Sequence, residues 1–421
     1  MIKLMIIADD ITGAIDTGVQ FSKKGVHAFV TTELNVNFKE LDSSIEVLIV
    51  DTESRHINAV HSYRRVYDIV KDAVQNGIRN FYKKTDSMLR GNIGAELTAL
   101  LHASKAKQLS FIPAYPQINR ITCNGNQIID GIPLEQTAHA KDPFNPVSTS
   151  NISQLIKQQS NVNVRLVKSS DYEQAFKGNY ELPEIVLFDA GSVEEMGQIG
   201  KMLKDENKFD LVAGCAGFAE VLAELFHFNV KKEYIKKRAE KVLIISGSLN
   251  SVSIDQIEFA QSKGVKGHKL TSEQKLDSKY MFSEEGDTLI RRICDGLIAD
   301  GHYIITVASG QLEKDEAKEY ALKKRLPIES LNMQIARNIG FLVKRILETV
   351  EIDALVVFGG DTLMGIMEKL GCKGITPHKE ILSGVVVSDI VSEGHKFQIV
   401  SKSGSFGGRD VIFEILSFLR A

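Results

Sequence analysis

The chain has 421 residues, 43% hydrophobic and 25% charged, with 51 basic against 54 acidic side chains and a net charge of −3. At about 100–200 residues per domain, such a length and composition fit a globular protein of two or three domains and exclude collagen-like, disordered and disulfide-scaffold classes. The near-neutral charge supplies no field that would favour nucleic acid or anionic lipid as a partner.

No apolar run approaches the roughly 18 residues needed to cross a membrane. The opening MIKLMIIA is too short for a signal-peptide core before it meets Asp9-Asp10. Cys123, Cys215, Cys294 and Cys372 are scattered, with no CxxC and no Cys/His cluster. A cytoplasmic protein without a zinc site is therefore expected.

In chain order, Leu4–Ala8 is a short apolar run, succeeded by Asp9-Asp10 and a helical pattern ending near Gly25. Val47–Val50 is a second run, succeeded by Asp51-Thr52-Glu53-Ser54. Val60, Tyr63, Val66, Tyr67, Val70 and Val74 then recur at helical spacing and stop at Gly77. Ile78–Tyr82 predicts a strand leading into the polar stretch Lys83–Asn92, with a helix through Leu97, Leu100 and Leu101 beyond it. Gln108–Ile112, Ile185–Asp189 and Leu211–Ala213 repeat the theme. Apolar runs without alternation are strands buried on both faces. Their alternation with helices implies a parallel, helix-covered sheet.

Residues 113–150 interrupt this rhythm, with weak periodicity and five of the eight prolines. Gly125 and Gly131 bracket a short hairpin at Asn126–Asp130. Such a segment is either an ordinary surface excursion or a functional loop. A basic stretch at 229–240 reads as a linker or a solvated helix face. Beyond it comes a new series: Val242–Ser246, a helix through Ile254 and Ile257, Tyr303–Val307, a helix at 331–349, Ala354–Phe358, Phe397–Ser401 and a terminal helix through Ile412, Ile415 and Leu416. The expected fold class is α/β: two α/β domains with mainly parallel sheets, roughly 1–230 and 240–421. Their apposed strand ends would form an interdomain active-site cleft, where ligands of open α/β sheets bind.

Asp9 and Asp10 stand where the first strand becomes a helix; they can cap it, hold a hydroxyl, act as a base or bind a metal. Asp16 either reaches the same pocket or complements the helix dipole. The stretch Lys83–Asn92 concentrates a cation, an acid, hydroxyls and an amide. Arg90 offers a planar fork for a carboxylate, Asp86 and Ser87 suit hydroxyls, and Gly91 lets the backbone approach a ligand. The plainer alternative is a capped helix with a surface ion pair. In the second half, Ser246–Asn250, Gly359–Thr362 and Lys402–Gly408 are Gly/Ser-rich turns after strands, each able to aim N–H groups at phosphate oxygens. Neither a GxxxxGK[ST] motif nor a GxGxxG after the first strand occurs. Lys402 either meets a phosphate or is solvated, and His139 either meets a ligand or is structural. Cys215 lacks an assignable His partner and reads as a buried thiol.

The blocks ADDITGAIDTG (8–18), KKTDSMLRGN (83–92), FIPAYPQINR (111–120), SGSLN (246–250), FGGDT (358–362) and KSGSFGG (402–408) together resemble the four-carbon acid sugar kinase family, and most resemble its D-threonate branch. The resemblance spans nearly the whole chain. It implies an N-terminal sugar-acid-binding domain, a C-terminal nucleotide-binding domain, and ATP-dependent phosphorylation of a terminal 4-hydroxyl. It implies Asp10 at the substrate and Arg90 at its carboxylate. It places Ser246, Ser248, Gly359, Gly360, Asp361, Thr362 and Gly404 at the nucleotide. The chain departs from the family pattern at Met88, Leu249, Asn250 and Asp361, which bear on substrate choice and fine nucleotide contacts.

The expected mechanism has Asp9, Asp10, Asp16, Lys84, Asp86, Arg90 and Asn92 around the sugar acid, and Asp10 as proton acceptor with Asp9, Asp16 and Asp86 as competitors. ATP brings Mg2+, whose protein ligands the sequence does not name. A homodimer is the default for such an enzyme. D-erythronate, 3-oxo-tetronate and 4-hydroxythreonine are alternative substrates. A non-catalytic sugar-acid and nucleotide sensor, and a hydrolase or aldolase-like enzyme, are rival classes.

Overall fold

The computed structural model describes residues 2–142, 145–177, 182–229, 234–307, 310–392, 395–404 and 406–421. They fall into two compact units, Met1–Lys232 and Glu233–Ala421. Among the described residues, no helix is long and apolar enough to cross a membrane.

The first unit carries β1 (Leu4–Ala8), β2 (Ala28–Thr31), β3 (Val47–Asp51), β4 (Phe81–Lys84), β5 (Gln108–Ile112), β6 (Arg120–Cys123), β7 (Asn126–Ile129), β8 (Ile132–Pro133), β9 (Asn163–Val167), β10 (Glu184–Phe188) and β11 (Leu211–Gly214). Its main sheet runs β2-β3-β1-β4-β11-β5-β10-β9, with every neighbour parallel. The central strands β1, β3 and β4 are buried throughout, as the unbroken apolar run of β1 and the run Val47–Val50 of β3 require. The chain leaves β1 toward β3 and β2 on one side, then crosses to β4 on the other. The carboxyl ends of β1 and β4 therefore flank a switch point, where open α/β sheets form their ligand crevice.

β4 ends at Lys84, two residues beyond the expected strand end at Tyr82. A buried lysine in a parallel sheet needs a partner, and Lys83 has three. It pairs with Glu96 at 2.8 Å and donates to the carbonyls of Ile7 at 3.1 Å and Lys84 at 2.7 Å. The other Glu96 oxygen accepts from the hydroxyls of Ser54 and Ser62.

Residues 120–133 form a three-stranded antiparallel sheet, β6-β7-β8. Its turns are Asn124-Gly125 (φ 48 and 72) and Asp130-Gly131 (φ 50 and 79). Positive φ at both central residues suits two-residue hairpins, which is why Asn-Gly and Asp-Gly stand there.

The second unit carries β12 (Val242–Ser246), β13 (Gly267–Lys269), β14 (His302–Thr306), β15 (Ala354–Phe358), β16 (Gly374–Leu382), β17 (Val385–Ser392) and β18 (His395–Lys402). The strand order is β13-β14-β12-β15-β18-β17-β16, parallel as far as β18 and antiparallel beyond it. Here the switch point lies between β12 and β15. Of the stretch 229–240 expected as a linker, 230–233 lie outside the described residues. Its later residues pack on the terminal helix, Val411–Arg420: Lys236 Nζ donates to Phe418 O at 2.9 Å and Ala239 N–H to Leu419 O at 2.9 Å.

The Lys83–Glu96 pair yields a test. Glu96→Ala strands a buried ammonium and should cost about 3–5 kcal/mol in denaturant unfolding, whereas Lys83→Met with Glu96→Leu should cost far less. Equal losses would show that the pair is not the issue.

Candidate functional site

At the switch point of the first unit, Arg55 gathers the acids of two strand ends. Its Nε donates to Asp9 Oδ2 at 2.7 Å, and its Nη2 to Asp9 Oδ1 at 3.0 Å and Asp10 Oδ1 at 2.6 Å. Asp86 Oδ1 lies 3.9 Å away. Arg55 is absent from the residues that the sequence singles out, and the neighbours that hold it explain the local sequence. Ser54 and Arg55 donate their backbone N–H groups to Asp9 O. Gly91 has φ +88 and faces Arg55; an added Cβ would lie 3.1 Å from Arg55 Cγ and 3.4 Å from its Cα. Glycine is thus required there on both counts.

Asp10 also caps the helix Ile11–Ser22, accepting from Gly13 N at 3.2 Å and Thr12 Oγ1 at 2.6 Å. Asp10 is the most open acid on Arg55: its side chain is 20% exposed, against 2% for Asp9 and 10% for Asp86. Burial is the largest influence on Asp9 and would raise its carboxyl, but Arg55, Lys83 and Lys84 together outweigh it and hold that group below its ordinary value. Burial acts likewise on Asp86, where Arg90 and Arg55 together hold the carboxyl well below the usual range. Asp51, at the end of β3, goes the other way: burial and the neighbouring Glu53 push its carboxyl well up.

Two expected residues already have protein partners here. The fork of Arg90, expected at a substrate carboxylate, closes on Asp86 (Nε 2.6 Å, Nη2 3.1 Å), while its Nη1 donates to Asp142 at 3.1 Å. The Asn92 amide, expected to read a hydroxyl, donates to the carbonyls of Ser54 and Ile57 at 2.8 Å each and braces the Arg55 loop. Lys84 is buried at the end of β4 beside Gly13; a Cβ on Gly13 would lie 2.8 Å from its Nζ and 2.4 Å from Asp10 Oδ1. Asp16 is half-buried on the same helix as Gly13. The irregular segment builds a wall of this site. Arg120 Nη1 donates to Ser87 Oγ, and Gln127 Nε2 donates to Ser87 O at 3.0 Å. Cys215 is buried, its thiol donates to Ala114 O at 3.2 Å, and burial pushes its pKa up, against a nucleophile's role. The His139 side chain lies outside what the structure describes.

In the second unit the three glycine turns pack on one another. A Cβ on Gly247 would overlap Thr362 Oγ1 at 1.8 Å, and one on Gly404 would lie 3.4 Å from Ser248 Oγ and 3.3 Å from Asn250 Cβ. Gly359, at φ +110, faces Ser248 N and precedes the helix Gly360–Lys369. Asp361 is exposed in the first turn of that helix, and Ser246 is buried at the end of β12. Ser405 lies outside the described residues. Lys402 is neither solvated nor at the surface. It is fully buried over the Phe358 ring, its Nζ donates to Ser253 Oγ and Gly404 O at 3.1 Å each, and burial pushes its pKa down to about 7. Gln256 Nε2 donates to the carbonyls of Phe406, Gly407 and Gly408 at 3.1, 2.9 and 2.9 Å. The carbonyls of the last turn are thus tied down from beneath. The adjoining turns and helix start at the strand ends make a cradle suited to phosphate oxygens.

Among the described residues, no group of three or more His, Cys, Asp and Glu is placed to hold a metal ion. A metal that keeps its waters and binds chiefly through substrate phosphates needs no such cage.

Comparisons with known proteins match both halves of the chain. A family described as a sugar-binding N-terminal domain matches residues 4–222, and one described as a nucleotide-binding C-terminal domain matches residues 243–412. The chain is 27% identical to a D-threonate kinase of Salmonella typhimurium, covering 99% of this chain and 98% of that protein. It is 25% identical to a D-erythronate kinase of Heliobacterium modesticaldum, covering 100% and 97%. It is 24% identical to a 3-oxo-tetronate kinase of Brucella melitensis, covering 98% and 94%. A solved Salmonella typhimurium structure shares the fold with a TM-score of 0.81 at 19% identity, over 99% of both chains.

The acid cluster yields a pH test. Asp9 and Asp86 have carboxyls held below the ordinary 3.8. The stability they contribute is present above that value and is lost as pH falls through their depressed folded pKa values. Arg55→Gln should cost about 3–5 kcal/mol at neutral pH, and the gap to wild type should narrow below about pH 4. Denaturant melts across that range check this; a gap independent of pH would contradict it.

Proposed function

The chain belongs to the four-carbon acid sugar kinase family, and from that premise we propose that it transfers the γ-phosphoryl group of ATP to the terminal hydroxyl of a four-carbon sugar acid, with D-threonate as the first candidate. The carrying observation is the pairing of two switch-point sites of opposite character. One is an acid cluster organised on Arg55; the other is a cradle of glycine turns at helix starts. An acceptor hydroxyl needs acids that orient it and take its proton, and a triphosphate needs N–H groups that cradle its oxygens beside the metal ion that travels with it.

Asp10 receives the proton of the attacking hydroxyl. Of the three carboxylates on Arg55 it is the one open enough to reach substrate, and its second oxygen is already fixed by Thr12. Asp86, held by Arg90, and Asp9 set the field in which Asp10 works. Ser248, Gly359, Gly360, Thr362 and Gly404 line the phosphate cradle, with Ser246 buried behind it. Mg2+, when bound with ATP, neutralises phosphate charge during transfer, and Asp361 is the exposed carboxylate that these turns offer it. A cytoplasmic setting fits this chemistry and the free cysteines.

D-threonate is favoured over D-erythronate by the relative at 27% identity against the one at 25%, a small margin that calls for a direct screen. Coupled ADP release with D-threonate, D-erythronate, 3-oxo-tetronates and 4-hydroxythreonine should show turnover with a four-carbon acid, fastest with D-threonate. Turnover of none of them, or phosphate release without acceptor, would reject the reading. Asp10→Asn should lower kcat by about 10²–10⁴ with a smaller change in KM for the acid; an unaltered kcat would remove Asp10 from the role. Gly404→Val should raise KM for ATP at least about fivefold and leave KM for the acid near wild type. If ATP affinity survives, the cradle is misassigned.

A further inference from the structure

Two cations beside the acid cluster stand outside its ion pairs. Arg55 is paired with Asp9 and Asp10, Arg90 with Asp86 and Asp142, and Lys83 with Glu96. Among the described residues, Arg120 and Lys84 make no such pair, although the charge of Lys84 bears on Asp9 and Asp86. Arg120 is 9% exposed, and its Nε is buried without a hydrogen-bond partner; the contact it does make, through Nη1, is to the neutral hydroxyl of Ser87. Lys84 is 5% exposed, and its Nζ lies beside Gly13 at the start of the first helix.

Neighbouring strands bring both cations to the surroundings of Cys215. Lys84 at the end of β4 pairs in register with Gly214 of β11, which pairs in turn with Ile112 of β5. The chain leaving β5 runs through Ala114, which accepts from the Cys215 thiol, to Tyr115, whose backbone pairs with that of Arg120. Both cations act electrostatically on the Cys215 thiol. Asp86 and Asp130 are the acids whose charge reaches Arg120, and Asp86 is already engaged by Arg90.

A buried guanidinium without a carboxylate is costly, and a planar fork with an idle Nε is shaped for two carboxylate oxygens. Arg90 is poorly placed for that task, because a substrate carboxylate would have to displace Asp86 or Asp142 from it. We infer that Arg120, assisted by Lys84, receives the carboxylate of the sugar acid, and that Arg90 instead positions Asp86. This inference rests on the proposed kinase reading. It assigns acid specificity to the irregular segment, whose role the sequence leaves open.

The test compares D-threonate with its neutral primary amide in the ADP-release assay, for wild type, Arg120→Gln, Arg120→Lys, Lys84→Gln and Arg90→Gln, with melting temperatures alongside. Arg120→Gln should raise KM for the acid at least about tenfold and change the amide little, so that the preference for acid over amide collapses. Arg120→Lys should recover part of that preference, and Arg90→Gln should weaken acid and amide alike. If Arg120→Gln does not fold, Lys84→Gln carries the same selectivity test. Equal losses on acid and amide, or an acid KM that does not move, would overturn the assignment. If wild type turns over no four-carbon acid, the kinase reading falls by itself. Calorimetric titration with D-threonate alone then decides the anion seat: binding lost in Arg120→Gln supports it, and binding that persists refutes it.

Discussion

Three carboxylates from two adjacent strand ends cannot share a buried crevice unless a cation holds them, and Arg55 is that cation. It contacts Asp9 twice and Asp10 once, and it lies within 3.9 Å of Asp86. Like charges this close repel strongly in a low-dielectric interior. Without Arg55 the acids would separate or take up protons, and Asp10 could not serve as helix cap and reactive carboxylate together. The arginine is itself held from below. The loop that presents it is tied to β1 by backbone hydrogen bonds, braced by Asn92, and anchored through Ser54 to the buried Glu96–Lys83 pair. A network that is structural at its base thus becomes functional at its upper surface.

The second unit solves a different problem. Phosphate recognition by backbone needs carbonyls turned away and N–H groups turned outward. Ser253, Gln256 and Lys402 take up carbonyls of the last turn from the interior side. Gly247 packs too closely on Thr362 to admit a side chain, and a Cβ on Gly404 would already touch Ser248 and Asn250. The chain's net charge of −3 is compatible with two anionic ligands because positive potential is built locally. In the reading proposed above, Arg120, Lys84 and helix starts supply it where it is needed.

Much of this is legible in the sequence because buried parallel strands and glycine turns leave strong local signals. Leu4–Ala8, Gln108–Ile112, Val242–Ser246 and Ala354–Phe358 are strands with the expected bounds. The Asn-Gly and Asp-Gly turns announce the hairpin. The misses have physical causes. β4 extends past its expected end because Lys83 and Lys84 are polar, and only a tertiary partner such as Glu96 makes a buried lysine tolerable. The antiparallel strand β16 leaves little trace in the sequence, since Gly374–Leu382 mixes proline, histidine and charge without a clean period, whereas β17 carries the β-branched run Val385-Val386-Val387 that announces a strand. Arg55 comes after a polar turn and carries no motif, and its one signal is its place just past the end of β3, next to β1. Sequence points to Arg90, because spacing cannot reveal that its guanidinium is already engaged by Asp86 and Asp142.

Proton-coupled ³¹P NMR of the reaction of this chain with ATP and D-threonate shows which hydroxyl receives the phosphoryl group. Transfer to the terminal hydroxyl gives a new phosphomonoester resonance split into a triplet by the two protons of a terminal CH₂–O–P group, growing in step with ADP. A doublet would place the phosphate on an internal carbon, and inorganic phosphate alone would mean hydrolysis; either result would contradict the account.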